Sequence, residues 1–197
     1  MAIRVTQVLD YLTEPELLNW YLTKGKTACK KIQEESLRVG SLVDKLIQSD
    51  IKGDGCLLSN ADAPVVNCMI AWEKFKKEYP GYISSIKSIQ QEITDRIVVG
   101  HPDILLEDEV DDIKTSRAIN PRHWTQVAKY ARMACKSSIG IIRLDKETAE
   151  FEYKRLGKDV IDYENTVFDA YLVAFKHNMT IREIVRRQLE MEVLGVE

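Results

Sequence analysis

The chain has 197 residues, 45% apolar and 30% charged, with a formal net charge of -3. That profile fits one soluble globular domain and argues against a disordered or collagen-like chain. No apolar run approaches the roughly 20 residues of a membrane helix, the N-terminus lacks a signal-peptide core, and an intracellular, cytoplasmic protein is the default expectation. The charge is mildly awkward for a nucleic-acid binder, because phosphate affinity comes from Lys and Arg, so any such role needs a local basic track. Cys29, Cys56, Cys68 and Cys135 lie far apart with no CxxC pair, which favours reduced thiols over a zinc or iron–sulfur site.

The first 80 residues read as helical. Thr13-Glu14-Pro15-Glu16 carries a capping-box signature, and Leu17, Leu18, Tyr21 and Leu22 follow as an apolar stripe. Helical stretches at Ala28–Glu35 and Leu42–Gln48 lead to a break at Lys52-Gly53-Asp54-Gly55. A helix from about Ala63 to Glu78, carrying Val66, Ile70 and Phe75, stops at Tyr79-Pro80-Gly81. From Tyr82 to Thr115 the chain is rich in β-branched residues, and three strands are predicted at about 83–95, 96–106 and 109–115. Asn120 followed by Pro121 opens a helix to about Lys136. Strands at Ile139–Leu144 and Ala149–Tyr153 come next, then two closing helices, one marked by Val160, Tyr163, Val167, Tyr171 and Ala174, the other Ile181–Glu192. The fold class is α/β: a mixed sheet of four or five strands flanked by helices. A helical cap over 1–80, a sheet core over 81–155 and C-terminal helices over 156–197 make one domain.

The chemistry is concentrated in Gly100-His101-Pro102-Asp103 and Asp112-Ile113-Lys114. With Glu107 and Asp108 as a two-residue hairpin loop, Asp103 falls directly opposite Asp112, with Cβ atoms about 4.5–5.5 Å apart. Two carboxylates that close repel unless a cation sits between them. Lys114 shares a strand face with Asp112, while Ile113 points to the other layer. Two carboxylates beside an ammonium suit metal-assisted phosphodiester hydrolysis with Mg²⁺ or Mn²⁺. Spacing alone leaves open a solvated acidic turn.

These residues resemble the PD-(D/E)XK nuclease superfamily, in its RecB-like branch of phage and mitochondrial exonucleases. Pro102-Asp103 and Asp112-Ile113-Lys114 match the namesake motif, and Gln126-Val127-Ala128-Lys129-Tyr130 matches the QxxxY element of that branch. Glu92 stands where the family carries a glutamate one strand upstream, and Val5–Leu9 and Leu18-Asn19-Trp20 resemble its N-terminal helical part. The resemblance implies a restriction-endonuclease-like core and a metal-dependent deoxyribonuclease, an exonuclease with Mg²⁺ or Mn²⁺. Its partner would be DNA, as duplex or single-stranded ends, with room for a recombination partner protein and a virus or phage origin. Asp103, Asp112 and the Ile113 carbonyl would ligate metal, with Glu92 direct or through water, and Lys114 would position the attacking water. Gln126 and Tyr130, one turn apart on a helix, would support the site and contact the DNA backbone. Many relatives carry a histidine ligand in a G-x-x-x-H element; here Gly40–Asp44 aligns and places Asp44 there. The late cysteine cluster of the iron–sulfur members is lacking, so that cofactor is not expected.

Arg122, Lys129, Arg132 and Lys136 lie on the Gln126 helix as a candidate phosphate stripe, against the alternative of a solvated face. Lys24, Lys26, Lys30 and Lys31 are a second candidate track; Arg182, Arg186 and Arg187 read as surface charge. His101 and His123 read as neighbours of the motifs, and Trp20, Trp72 and Trp124 as core or interface aromatics, Trp124 being the one nearest the QxxxY element. A catalytically silent nuclease fold that binds DNA or assembles a complex is the rival reading. No P-loop is present.

Overall fold

The computed structural model describes residues 3–11, 15–54 and 61–193. Thr13 and Glu14 of the expected capping box, the Leu17 and Leu18 side chains, and Cys56 lie outside the described residues. In chain order the elements are β1 (Ile3–Arg4), α1 (Val5–Tyr11), α2 (Pro15–Lys24), α3 (Lys26–Lys52), α4 (Ala63–Glu78), α5 (Tyr82–Ser85), β2 (Ser88–Ile89), β3 (Ile93–Thr94) and β4 (Val98–Gly100). Then come β5 (Ile104–Leu105), β6 (Glu109–Lys114), α6 (Pro121–Met133), β7 (Ser138–Leu144), β8 (Phe151–Leu156) and α7 (Lys158–Val193). None of the helices described is long and apolar enough to cross a membrane.

The strands form a mixed five-stranded sheet in the order β2-β5-β6-β7-β8 and a three-stranded sheet in the order β1-β4-β3, so the predicted α/β class holds. β6 and β7 pair in parallel, which a tight turn cannot connect; α6 supplies the crossover. Side-chain alternation splits β7 between two cores. Ile139 and Ile141 join Val8, Val127, Ala128, Ile161 and Phe168 under α1, α6 and α7. Ile142 and Leu144 join Val43, Ile47, Trp72 and Phe75 under α3 and α4.

The strand predicted over 83–95 is instead a helical turn and two short strands in different sheets, and the strand predicted over 96–106 divides between β4 and β5. The two halves nevertheless keep one antiparallel register. Ser88 pairs with Leu105 and Ile89 with Ile104, then Ile93 with Gly100 and Thr94 with Val99, as one long bent hairpin. Its bend falls at Gln90, whose φ of 49° is left-handed.

The two stretches expected at Ala28–Glu35 and Leu42–Gln48 are one helix, α3, running through Gly40. Burial of Val39, Val43 and Ile47 outweighs the ~1 kcal/mol that a mid-helix glycine costs. The two expected closing helices are likewise continuous as α7, since no Gly or Pro interrupts residues 158–193. The α4 bounds are as predicted, but its buried face is Val65, Cys68, Met69, Trp72 and Phe75, with Ile70 turned outward.

Candidate active site

The β5–β6 hairpin turns through Glu107 and Asp108, with the Leu106 N–H donating to the Glu109 carbonyl at 2.9 Å. Ile104 pairs with Asp111 and Leu105 with Val110, which is the register predicted from the sequence. One step outward, Asp103 faces Asp112, and its Oδ2 accepts the Ile113 backbone N–H at 2.7 Å. Asp112 is only 1% exposed. Lys114, two residues along the same face, brings Nζ to 2.5 Å from Asp112 Oδ2.

α6 clamps the lysine from above. Asn120 and His123 cap it reciprocally: the Asn120 side chain accepts the His123 N–H, and the His123 ring accepts the Asn120 N–H. One turn on, Gln126 Oε1 accepts from Lys114 Nζ at 3.2 Å, and Gln126 Nε2 donates to Tyr130 Oη at 3.1 Å. One edge of the Tyr130 ring lies against Gly100, where a Cβ would come within 2.3 Å of Cε1. The Gly100 of the sequence motif is thus a packing requirement of the QxxxY tyrosine.

A residue that sequence reasoning passed over completes the group. Gln90 follows Ile89, which pairs with Ile104, so Gln90 falls opposite Asp103. Its N–H donates to the Asp103 carbonyl at 3.2 Å, and its Nε2 donates to Asp103 Oδ1 at 2.7 Å. The same Nε2 lies 3.4 Å from Oδ1 of Asp44, which α3 brings across the strand ends. Gln48, one turn along α3, holds the other Asp44 oxygen at 2.8 Å. Gln90, Asp103 and Asp112 therefore form one cross-strand row, and only the β2 pairing could have revealed the first member.

Glu92 is not gathered into this group. It lies beyond the bend at Gln90, is largely exposed, and pairs with His101 at 3.4 Å. Among the described residues, no three His, Cys, Asp or Glu side chains converge closely enough to hold a metal ion as they stand.

Electrostatics mark the site as short of positive charge. Part of Asp103 still meets solvent, yet desolvation and then the Asp112 charge push its carboxyl well above the usual carboxylate range, Lys114 and the Ile113 N–H opposing. Burial draws the Lys114 ammonium down, but Asp112 and Asp103 outweigh it and hold it above its ordinary value, so it stays charged. Burial and then the nearby Lys114 charge push His123 down to about 4, leaving a neutral ring. Burial, then Asp112, raises Tyr130 to about 12.

The site opens into a cleft of about 790 Å³, with Trp20, Leu37 and Asp44 on the helical side and Arg117 and Lys146 on the other. Trp20 is therefore the tryptophan at the cleft, whereas Trp124 packs against the core and Trp72 is buried against Asp50. Two hollows of about 400 and 390 Å³ continue the cleft past Gln126, one beside Arg122 and His123, the other beside Arg4 and His101.

The phosphate stripe expected on α6 is corrected in part. Lys129 is 1% exposed, pairs with Asp95 at 2.5 Å and sits over the Phe168 ring, so it belongs to the core. Arg132 turns toward α7 and pairs with Asp169 at 2.8 Å. Lys136 Nζ donates to the Glu107 carbonyl at 2.5 Å, below the hairpin turn. Arg122 does border the cleft, donating to the Leu9 carbonyl and pairing with Asp10 at 3.1 Å.

The opposite face of β6 carries a second acidic group. Asp111 Oδ2 accepts from the Tyr82 and Tyr153 hydroxyls, at 2.5 and 2.9 Å, and Glu109 is gripped by Arg155. Gly140 on β7 leaves the space, since a Cβ there would come within 2.1 Å of Asp111 Oδ1.

No family model matches the chain, and no curated protein sequence matches it. Among solved structures, an alkaline exonuclease from Laribacter hongkongensis is similar over 95% of this chain and 94% of its own, with TM-score 0.50 and 13% identity. The chain shares its fold. The same exonuclease in complex with dAMP aligns with TM-score 0.49 and 10% identity over 95% and 94% of the two chains. A phage-related exonuclease from Haemophilus somnus aligns over 91% and 96% at TM-score 0.39 and 11% identity.

Proposed function

We propose that this protein is a divalent-metal-dependent nuclease of the PD-(D/E)XK type, acting on DNA and, by resemblance, from a strand end. The observation that carries the reading is the Asp103–Asp112–Lys114 constellation, facing a cleft that Gln126 borders with Tyr130 buried behind it. The fold shared with an alkaline exonuclease accommodates it.

The residues fit a hard cation. Asp103 and Asp112 crowd each other, and Asp112 Oδ2 is buried without a well-directed hydrogen bond despite the nearby ammonium. Asp103, Asp112 and the Ile113 carbonyl would hold Mg²⁺ or Mn²⁺, with Asp44 alongside and Glu92 a candidate only after movement. When bound, such a cation supplies Lewis-acid polarisation of the phosphodiester and a more acidic water. The chain's own residues do the rest. Lys114, charged and fixed by Gln126, orients the attacking water and meets the negative charge that develops on the phosphate oxygens. Tyr130 locks the Gln126 rotamer, so the lysine is held from two sides. Arg117, Lys146 and Arg122 border the cleft where a phosphate backbone would run.

The test uses end-labelled linear and closed-circular DNA in Mg²⁺, Mn²⁺ or EDTA, with Asp112→Asn and Lys114→Ala alongside. Metal-dependent loss of linear DNA alone, abolished in both variants, is the expected result. Cleavage of the circle would keep the site and reassign the enzyme as an endonuclease. Intact DNA under every metal, with DNA binding preserved, would overturn the enzyme reading in favour of a silent binding module.

A further inference from the structure

Resting on the reading of Asp103 and Asp112 as a cation site, we propose that Gln90 is a gate on that site: its side-chain amide bridges Asp103 and Asp44, and must withdraw before a divalent cation can engage both carboxylates. The amide hydrogens point at two acidic oxygens from one nitrogen, 2.7 Å from Asp103 and 3.4 Å from Asp44. An N–H donor between two carboxylates supplies partial positive charge where a cation would supply the whole of it. Gln90 is not there by accident of rotamer. Its backbone N–H is tied to the Asp103 carbonyl, and the register of the bent hairpin sets it opposite Asp103. Its φ of 49° is a conformation that a side chain with a Cβ adopts at a cost. The residue that grips Asp103 twice is therefore also the one at which the hairpin bends from one sheet into the other.

Gln90 is a positioning residue on this account. In the cation-free protein it keeps Asp44 and Asp103 from repelling, and it competes with the ion for the same oxygens. Retreat needs only the side chain to turn away, since the backbone N–H stays on the Asp103 carbonyl while residues 91 and 92 lie outside both sheets.

The measurement is Mn²⁺ affinity without DNA, by calorimetry and by the loss of the free-ion resonance in electron paramagnetic resonance. The proteins are the wild type, Gln90→Gly and Gln90→Asn. Both replacements tolerate a left-handed backbone, and asparagine keeps an amide that is one methylene too short to bridge. Gln48→Ala, which removes a donor to Asp44 that does not reach Asp103, is the control. Circular dichroism confirms folding of each. The proposal expects both Gln90 variants to bind Mn²⁺ about tenfold tighter, the scale of one charge-assisted hydrogen bond removed from competition, with Gln48→Ala changed far less. Unchanged affinity in the Gln90 variants would overturn it. Weaker affinity would overturn it too, because Gln90 would then be a ligand through Oε1. A wild type that binds no Mn²⁺ would sink the metal reading and the gate with it, whereas Mn²⁺ binding indifferent to Gln90 sinks the gate alone.

Discussion

Replacing Gly100 by alanine tests whether the Tyr130–Gln126–Lys114 relay is built as described. The new Cβ would lie 2.3 Å from Tyr130 Cε1 and 2.9 Å from Cδ1. That is about 1.2 Å inside the roughly 3.5 Å of a good carbon–carbon contact. Tyr130 is 3% exposed and shares one buried cluster with Val98, Val127 and Ala131, so the ring can give way only toward the hollow beside Arg4 and His101, away from its bond to Gln126. Overpacking of this kind costs about 1–3 kcal/mol, and relief of glycine's chain entropy in a strand returns about 0.5. A net loss of about 1.5 kcal/mol is expected, to be read from urea unfolding midpoints at unchanged slope. Activity should fall further than stability explains, because a displaced Tyr130 hydroxyl releases the 3.1 Å bond that sets Gln126. Tyr130→Leu removes the ring edge that meets the new methyl. In the double variant, Gly100→Ala should therefore cost at least 1 kcal/mol less than it does alone. Gly100→Ala within 0.5 kcal/mol of wild type, or simple additivity in the cycle, would refute the packing argument.

Lys129→Met should destabilise by about 1–2 kcal/mol, since it removes a charge-assisted bond to Asp95, which is part-exposed and keeps its bonds from the Ile97 and Val98 N–H groups. It should leave the salt dependence of DNA binding alone, whereas Lys146→Ala at the cleft should reduce that slope by about one; the two slopes from filter binding decide it. Stability should drain away as pH falls from about 6.5 toward 4, because the unfolded chain protonates His123 before the folded protein does. Protonation also removes the ring acceptor from the α6 cap, and His123→Gln should flatten that limb in unfolding curves at pH 7 and pH 4.5. Asp111 runs the other way. Burial and then Glu109 raise its carboxyl to about 8, so the folded state keeps a proton that the unfolded chain releases near pH 4. Stability present at low pH is thus lost as pH climbs through 8, and Asp111→Asn should raise the melting temperature at pH 9 while changing it little at pH 5.

What the sequence made legible was local. The β5–β6 register followed from a two-residue loop and alternation, and Asn120-Pro121 announced the start of α6. Gln90 was hidden because its partner strand holds two residues, too few for any periodicity to show. The α3 and α7 helices were cut in prediction at stretches of weak apolar patterning, yet tertiary burial carries α3 through Gly40. Lys129 was misplaced because a lysine reads as exposed unless its partner is known, and Asp95 lies 34 residues away in sequence. Glu92 rested on the resemblance alone, which says nothing of the left-handed bend at Gln90 that leaves it one alternation further on, beside His101.

The adjacent aspartates of β6 face different worlds, Asp112 toward the cleft and Asp111 toward two tyrosines. A one-residue slip of this strand would exchange them, and the cleft would still receive a carboxylate. The ammonium would not survive the exchange, because Ile113 and Thr115 flank Lys114. The carboxylate of this site is thus written twice and its ammonium once, so an insertion or deletion in the hairpin turn would strike first at the lysine.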